Sequence, residues 1–347
     1  MASLHWMAAS VLTAFAAASS AAAADDAALL KQAQEIFKSL PKDMATSEFP
    51  VTKPRVELGR MLFFDPRFAI DANVSCATCH QPTLYGTDGL TKSIGVQQRR
   101  QPRNAPTILN SAMNINHWRG DRDSVEDQAV KALIAPVNTG QPDEKAVLDR
   151  LALIPGYAPL FKVAFPDDAA PTTLQNMAKA IGSYERTLVS RSTFDAYLAG
   201  DVNALSPTAR AGLEKFIVSG CVACHEGVGV GGGMFQKFGV LDDYWKATGS
   251  QTIDKGRIDV TKNPDDLYVF RVPSLRNVAM TAPYFHDGSI AALPDAVRVM
   301  GRVQLGLTLA DADIGEIVAF LESLTGELPA NFATVPALPP GSVALGK

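Results

Sequence analysis

Apolar residues recur at helical spacing in two long stretches of the chain. Within residues 174–190, positions three or four apart carry Leu174, Met177, Ala178, Ile181, Tyr184 and Leu188. Within residues 311–325, the same spacing carries Ile314, Ile317, Val318, Leu321 and Leu324. This period is typical of one buried helix face, so both stretches predict amphipathic α-helices. The second helix is expected to have Asp311 as its N-cap and to end near Gly326.

Two shorter apolar stretches, VELGRMLFF from Val56 and AGLEKFIV from Ala211, also predict helices and suggest a weak internal repeat. Strand signals are few, and loops containing Gly and Pro occupy residues 226–240 and 262–273. The pattern predicts a mainly α fold with two similar units. Turn-forming residues in FPDDAAP and DVNALSP put the boundary between the units near residues 165–210.

Each of the two shorter stretches is followed by the same motif, CATCH at residues 76–80 and CVACH at residues 221–225. C-x-x-C-H is a haem attachment pattern, because two thiols one helical turn apart can form thioethers with the two vinyl groups of one haem. The adjacent His80 or His225 then supplies the proximal iron ligand. We therefore predict two covalent c-type haems in two cytochrome-c-like domains that pack around an interdomain interface. The attachment residues are Cys76, Cys79, Cys221 and Cys224.

Other uses of these cysteines fit the sequence less well. All four cysteines fall in the two motifs, so none is left for a structural disulfide. A zinc site of two cysteines and two histidines is disfavoured, because the chain's five histidines do not supply a second ligand near either pair. A thioredoxin-like dithiol needs a βαβ context that the pattern lacks.

The amino terminus is typical of an export signal. Residues 8–24 are almost all Ala, Val, Leu, Phe or Ser, and small residues up to Ala24 precede Asp25 as at a cleavage site. The first six residues, MASLHW, lack the usual basic charge, which leaves an Ala-rich tail as the alternative. We predict a signal peptide over residues 1–24, a periplasmic location, and haem domains over residues 25–185 and 186–347.

The net charge argues against binding to nucleic acid or to an anionic membrane, and the hydropathy argues against a membrane-spanning segment. The chain has 347 residues, with 32 Lys and Arg against 36 Asp and Glu, for a net charge of −4. This balance gives no basis for binding nucleic acid or an anionic membrane surface. After the signal peptide, no stretch of the sequence approaches the roughly 20 consecutive apolar residues of a membrane span.

The chain resembles the bacterial diheme cytochrome c peroxidases over nearly all of its mature length. The resemblance is carried by the blocks LGRMLFFDPR, SCATCH, RNAPTILN, SYERTL, CVACHEG, FRVPSLRNVAMTAPYFHDGS and AVRVMGRVQLG. The same superfamily includes the diheme enzyme that matures tryptophan tryptophylquinone. The resemblance implies a peroxide-handling haem in the N-terminal domain and an electron-accepting haem in the C-terminal domain.

Several further residues take their expected roles from this resemblance. Met300 of AVRVMG matches the sixth ligand of the second haem, where a thioether favours ferrous iron. Met280 is the rival, but it does not occupy the family's ligand position. Trp118 aligns with the tryptophan between the haems, where it either relays electrons or packs against porphyrin edges. Gln128 matches a distal-pocket glutamine, and His286 is implied to be structural or propionate-binding.

The resemblance also implies an ion and several partners. Asn104, with Thr281 and Pro283, matches the family's interdomain calcium site, because an amide oxygen and backbone carbonyls suit that ion. The alternative is a plain turn at both places. Hydrogen peroxide is the implied substrate, a small cytochrome c or cupredoxin is the implied electron donor, and a homodimer is one possible assembly.

Two positions depart from the family pattern around the first haem. Val96 stands where many relatives have a histidine that caps the iron, and valine cannot bind iron. Asn138 stands where relatives commonly have a glutamate that assists O–O cleavage, and an amide can hydrogen-bond to peroxide but cannot shuttle its proton. His117 and Asp127 are the candidate substitutes, although His117 also fits a surface or interdomain histidine.

The sequence therefore predicts a periplasmic diheme c-type peroxidase that reduces hydrogen peroxide to water with electrons from a small redox protein. The altered positions Val96 and Asn138 motivate a second hypothesis, in which high-valent iron oxidises a Trp or Tyr residue of a partner protein. A third hypothesis is a diheme electron carrier without enzymatic activity. It applies only if the first iron is capped on both sides.

Overall fold

The computed structural model describes residues 25–343, so the predicted signal peptide lies outside the described residues. The fold is mainly α, as predicted. The helices are α1 (25–36), α2 (Lys53–Phe64), α3 (Cys76–Cys79), α4 (Val125–Leu133), α5 (Glu144–Ala152), α6 (Tyr157–Ala164), α7 (Leu174–Glu185), α8 (Thr193–Leu198), α9 (Pro207–Val218), α10 (Tyr244–Thr248), α11 (Ile258–Thr261), α12 (Leu293–Leu305), α13 (Asp311–Glu322) and α14 (Ala330–Ala333).

Strand structure within these residues is confined to one short pair, β1 (Phe235–Lys237) and β2 (Val269–Arg271), which run antiparallel with Gln236 opposite Phe270. Single 3-10 turns connect many of the helices, and they lie at Pro66–Phe68, Pro82–Leu84, Val96–Gln98, Ser111–Met113, Val202–Ala204, Cys221–Ala223, Pro264–Asp266 and Val278–Met280. In the described part of the chain, no helix is both long enough and apolar enough to cross a bilayer.

Both long predicted helices exist, but their ends differ from the prediction. The first ends at Glu185 rather than near residue 190, because the chain leaves helical geometry after its C-cap, Arg186. The second begins at Asp311 but takes Ala310 as its N-cap, so the prediction that Asp311 is the N-cap is wrong by one residue. The Asp311 carboxylate accepts a hydrogen bond from Arg298 instead of capping the helix.

Each half of the protein, residues 25–185 and residues 186–343, is built on one closely packed pair of helices. In the first half, α2 lies against α7, and a Cβ atom added at Gly59 would lie 1.8 Å from the carbonyl oxygen of Ala180. In the second half, α9 lies against α13, and a Cβ atom at Gly212 would lie 1.8 Å from the carbonyl oxygen of Glu316. Glycine is therefore required at equivalent places in two helices that each lead into a C-x-x-C-H motif.

A hydrogen-bonded hub joins the two halves at Ser190, in the connection after α7. Asn110 and Asn277, both fully buried and left-handed, donate through Nδ2 to Ser190 Oγ at 2.9 Å and 2.8 Å. Their surroundings repeat. Asn110 bonds to the Leu188 carbonyl and the Ser190 amide, whereas Asn277 bonds to the Leu324 carbonyl and the Gly326 amide. The same local structure therefore occurs once in each half.

Each half also contains one buried ion pair with two hydrogen bonds. Arg186 donates to Glu126 at 2.7 Å and 2.9 Å, which ties the end of α7 to α4. Arg276 donates to Asp195 on α8 at 2.9 Å and 3.1 Å. A third such pair, Arg103 with Asp254, joins the RNAPT segment of the first half to a loop of the second.

Two of the three hydrophobic cores within residues 25–343 draw on both ends of the chain. Phe37, which directly follows α1, packs with Phe194 and Phe320 in the core of the second half. Phe332 in α14 packs on Phe63 in the core of the first half, and Arg67 donates to the carbonyl of Gly341 at 2.8 Å. The predicted division into residues 25–185 and 186–347 stays a prediction, and the packing adds that each core takes in a segment from the opposite end.

Candidate haem-binding sites

The first cysteine pair lies on a single helical turn. Ser75 and Thr78 close a capping box before this turn, and the His80 amide bonds to the carbonyl of Cys76 at 2.9 Å. His80 Nδ1 donates to the Gly86 carbonyl at 2.9 Å. A second hydrogen bond of this kind fixes the tautomer of a metal-binding histidine and leaves its other ring nitrogen, here Nε2, free to bind iron.

Burial holds the groups of the first motif in their neutral forms. It raises the pKa of Cys76 to about 12, with a smaller contribution from the nearby Glu185, and the pKa of Cys79 to about 11. Burial also lowers the pKa of His80, although the carbonyls of Gly86 and Pro106 oppose it. The motif thus presents two neutral thiols and a neutral imidazole, and the neutral imidazole is the form that binds a metal.

The second cysteine pair forms a similar turn at the wall of a cavity, but His225 Nδ1 has no hydrogen-bond partner among residues 25–343. Gly220 takes up the left-handed conformation, a 3-10 turn follows over Cys221–Ala223, and the His225 amide bonds to the Cys221 carbonyl at 3.0 Å. Burial lowers the pKa of His225 to about 4 despite the nearby carbonyls of Val230 and Pro273. Cys221, Cys224 and His225 all line a cavity of about 390 Å³.

The lining of this cavity suits an apolar cofactor such as a haem. Its wall is mostly apolar, and its volume lies within the range typical of pockets for small molecules and cofactors. Met300 on α12 lines it together with the aromatic residues Trp118, Phe238 and Phe270. Met280 does not line it, and that side chain is 47% exposed in a 3-10 turn. The structure therefore brings Met300, and not Met280, to the cavity of His225.

Trp118 and His286 form a buried contact beside this cavity. Their ring centroids lie 6.3 Å apart, edge to face, and Phe270 stacks on His286 at 4.2 Å. The backbone of Asn104 links the two residues. Its carbonyl oxygen accepts a hydrogen bond from Trp118 Nε1 at 2.9 Å, and its N–H donates to the backbone carbonyl of His286 at 2.8 Å. Burial lowers the pKa of His286, and its Nε2 has no hydrogen-bond partner among residues 25–343.

The two residues that depart from the family pattern lie together. The Val96 amide donates to the carbonyls of Val137 and Asn138 at 3.1 Å and 3.2 Å, and a Cβ atom added at the preceding Gly95 would collide with the Val137 carbonyl. The side chain of Val96 is fully buried, and the Asn138 amide oxygen accepts a hydrogen bond from Gln101. The loop that carries Val96 is therefore hydrogen-bonded to the loop that carries Asn138.

Gln128 on α4 is a half-buried side chain whose Oε1 lacks a hydrogen-bond partner within residues 25–343. A polar cavity of about 380 Å³ lies beside the first motif, and Thr78 and Gln81 line it. Cys76, Cys79 and His80 do not line that cavity.

Both candidate proton donors already have polar partners, and burial lowers the pKa of His117 despite its hydrogen bond with Asp121. His117 Nδ1 bonds to Asp121, which also pairs with Arg119 and Arg122. Burial opposes ionisation of Asp121, but His117 and the two arginines together hold its pKa well below the usual range. The Asp127 carboxylate accepts from Lys131 Nζ at 2.7 Å and from the Asp123 amide at 3.0 Å. Asp127 is therefore an ionised partner of Lys131.

Sequence reasoning missed two buried charged residues. Arg271 at the end of β2 lines the large cavity, and Glu185 lies near Cys76 at the end of α7. Burial, with the nearby Glu126 charge, raises the pKa of Glu185 to about 8. Both residues stand in blocks that carry the family resemblance, FRVPSLRN and SYERTL, but nothing in their spacing signals that they are buried.

Several known proteins are similar to this chain in sequence and in fold. A sequence profile for the family described as di-haem cytochrome c peroxidase matches residues 53–203. Cytochrome c551 peroxidase of Pseudomonas aeruginosa is 42% identical over 305 residues, which cover 87% of this chain and 88% of that protein. Methylamine utilization protein MauG of Methylorubrum extorquens is 35% identical over 306 residues, with 84% of this chain and 83% of that protein covered.

Among solved structures, a MauG-like protein associated with microbial copper homeostasis is 28% identical and superposes with a TM-score of 0.74, covering 85% of this chain and 97% of that chain. The diheme peroxidase BthA of Burkholderia thailandensis, at 19% identity and a TM-score of 0.64, shares the fold. Two repeated haem motifs, a shared architecture and 42% identity over most of both chains lead to one conclusion. The chain belongs to the di-haem cytochrome c peroxidase family of oxidoreductases.

Proposed function

We propose that this protein is a periplasmic enzyme that reduces hydrogen peroxide to water with electrons from a small cytochrome c or cupredoxin. The main support is the cavity of about 390 Å³ that places Cys221, Cys224, His225 and Met300 around one space. Histidine with methionine is the ligand pair of electron-transfer haems, because the thioether raises the reduction potential. Relatives named cytochrome c551 peroxidase, at 42% identity, support the reaction.

The residues divide into an electron-accepting group and a peroxide group. Cys221, Cys224, His225 and Met300 hold the haem that accepts electrons, and Trp118 lies at its wall as the candidate relay. Cys76, Cys79 and His80 hold the other haem, whose iron supplies the site of peroxide reduction when it is bound. Gln128 and Asn138 are proposed to orient peroxide by hydrogen bonds, because neither amide can transfer a proton.

The assignment of Met300 is tested by a matched pair of variants, Met300→Leu and Met280→Leu. In the purified protein with both haems, M300L is expected to lose the spectrum of a methionine-bound haem and at least about 10-fold of peroxide turnover with reduced cytochrome c. M280L changes an exposed side chain and is expected to leave both unchanged. Loss of the methionine-bound spectrum in M280L, or its retention in M300L, contradicts the assignment.

A second candidate function is oxidation of a Trp or Tyr residue on a partner protein. Val96 and Asn138 favour it, because they remove the capping histidine and the glutamate of peroxidase relatives, and relatives named MauG match at 35% identity. Addition of peroxide to the oxidised protein separates the two functions. Rapid turnover with reduced cytochrome c supports the peroxidase, whereas a long-lived oxidised state with negligible turnover supports the second function.

We further propose one calcium ion at Asn104, Thr281 and Pro283. Asn104 Nδ2 donates to the Leu90 carbonyl at 2.8 Å, which leaves the amide oxygen as the atom available to a cation. Within residues 25–343, no group of three or more His, Cys, Asp or Glu side chains is arranged to hold a metal, so this site would depend on neutral oxygens. Metal analysis before and after chelation tests the calcium site.

We also propose a homodimer, which the family resemblance implies as one assembly. Light scattering of the purified protein tests it.

A further inference from the structure

Four arginines are deeply buried among residues 25–343, and one of them differs from the others. Arg103, Arg186 and Arg276 each make two hydrogen bonds to a carboxylate. Arg271 is only 7% exposed, yet no Asp or Glu of the described residues forms an ion pair with it. Its Nη1 donates to the Ile115 carbonyl at 2.9 Å, and its Nε has no partner in this part of the chain.

This isolation is unfavourable for a charged group. A guanidinium stays protonated under all ordinary conditions, and burial lowers the pKa of Arg271 only to about 10. A buried charge without a partner costs several kcal/mol, so buried arginines are normally paired with an anion. The guanidinium also lies 5.5 Å from the ring centroid of Trp118, a contact that offsets only about 1–2 kcal/mol of such a cost.

The missing anion is expected from the cavity that Arg271 lines, because the described protein offers no carboxylate to this side chain. A haem carries two propionate carboxylates. Trp118 Nε1 is already committed to the Asn104 carbonyl at 2.9 Å. Three buried nitrogens at this wall lack a hydrogen-bond partner within residues 25–343, namely Arg271 Nε, His225 Nδ1 and His286 Nε2, the last of which lies 4.0 Å from an Asp254 oxygen. Only the arginine carries a full positive charge.

We propose that Arg271 is a positioning residue that binds a propionate of the haem attached at Cys221 and Cys224. This inference rests on the proposed haem assignment. A planar guanidinium can hold a carboxylate through two parallel hydrogen bonds, which would fix the orientation of the haem in its cavity. Because Arg271 also lies over Trp118 and its amide bonds to the Trp118 carbonyl at 2.9 Å, the same side chain links the haem edge to the candidate relay.

A positive charge near the iron favours its reduced state, since reduction removes one positive charge from the haem. Loss of that charge is expected to lower the midpoint potential of this haem, with a roughly tenfold change in its reduction equilibrium constant. It should also make the potential depend on pH. Without Arg271, the propionate loses the cation that keeps it ionised, so the carboxylate titrates closer to neutral pH.

The experiment uses the purified protein with both haems and compares Arg271→Gln, Arg271→Lys and the control Arg257→Gln. Arg257 also lies over an aromatic ring, 3.9 Å from the centroid of Phe235, but it does not line the cavity. Spectroelectrochemical titrations from pH 5 to 8 are expected to give R271Q a lower, pH-dependent potential for this haem. R271K should recover most of the wild-type potential, and R257Q should match wild type.

Equal potentials in R271Q and wild type at every pH would overturn the inference, as would a shift of the same size in R257Q. If R271Q does not assemble, Arg271→Met, which also removes the charge and keeps a long side chain, takes its place with the same expected result and the same overturning result. If R271Q carries haem at Cys221 and Cys224 and its potential is not shifted, the role of Arg271 is contradicted and the proposed function is not. Absence of haem from those cysteines in the wild-type protein contradicts the proposed function itself.

Discussion

The two halves of this protein share a backbone plan and differ in the side chains that face their haem motifs. Both contain a glycine at a close helix contact, a left-handed asparagine and a buried ion pair. The second motif lies at an apolar cavity lined by Met300, whereas Val96 and Asn138 stand at positions that we predict to lie in the distal pocket of the first haem. Features that hold helices together are therefore repeated, and the residues predicted to surround the two irons are not.

The largest expected effect comes from removing one charge of a buried ion pair in either half. Glu126→Gln and Asp195→Asn should each cost about 3–5 kcal/mol of unfolding free energy, because an arginine is left buried without its partner. Denaturant unfolding at neutral pH measures both. If only one of the two substitutions lowers the unfolding free energy, the two ion pairs are not equivalent.

The Asp195 pair also predicts a pH dependence. Burial alone would raise the pKa of Asp195, but Arg276 and the amides of Ser192 and Leu40 outweigh it and hold this pKa below its usual range. The stabilisation is therefore fully present above roughly pH 4, the ordinary Asp pKa, and is lost as the pH falls through the lower folded value. The stability difference between wild type and D195N should shrink in acid.

The close helix contacts are the next largest effect. Gly59→Ala and Gly212→Ala should each cost about 3 kcal/mol, since a methyl group 1.8 Å from a backbone carbonyl forces two helices apart. Gly315→Ala is the control. A Cβ atom there meets nothing within 4 Å, so this change should stabilise α13 by up to about 1 kcal/mol. Thermal unfolding of the three variants checks the comparison, and a harmless G212A would remove the proposed equivalence.

The substitution Asn138→Glu tests whether the first haem site lacks a side chain that can transfer a proton. A carboxylate at this position can still accept the hydrogen bond from Gln101, and it adds a group that can transfer a proton. Peroxide turnover, as kcat/KM, is expected to rise about 100-fold in the protein with both haems. Asn138→Gln has the same length without the proton chemistry and should give no such gain. Equal rates for the two variants would show that acid–base assistance does not limit the reaction.

The smallest effect concerns the hub between the halves. Ser190→Ala removes the acceptor of two buried hydrogen bonds, from Asn110 and Asn277, and should cost about 2 kcal/mol at roughly 1 kcal/mol each. Double-mutant cycles with Asn110→Ala and Asn277→Ala are expected to give similar coupling energies. A coupling confined to one asparagine would show that Ser190 serves one half only.

Local patterns predicted much of the architecture. The spacing of apolar residues located α7 and α13, and the mainly α fold is confirmed. Helix ends were less predictable, because the N-cap of α13 is an alanine without a capping side chain. Haem ligands could be assigned from the sequence because C-x-x-C-H is a local motif. That haem is bound at these residues stays a prediction.

Long-range pairings were not predictable in this way. Arg271 and Trp118, Ser190 and its two asparagines, and Phe332 in the first core all pair residues that are far apart in the chain. A hydrophobic period describes one face of one element, so it carries no information on which distant residue covers that face. Whether an arginine is isolated becomes visible only when all its neighbours are known.

The exchange of chain ends between the two cores has a consequence for biosynthesis. A ribosome that has made only the first half has not yet made Phe332 and Gly341, which complete that half's packing, while Phe37 must wait for Phe194 and Phe320. Domains usually fold in order as they are synthesised. Here each core lacks part of its packing until a segment from the opposite end of the chain is available. The two halves of an exported chain are therefore expected to complete their packing together after translocation, and not one after the other in order of synthesis.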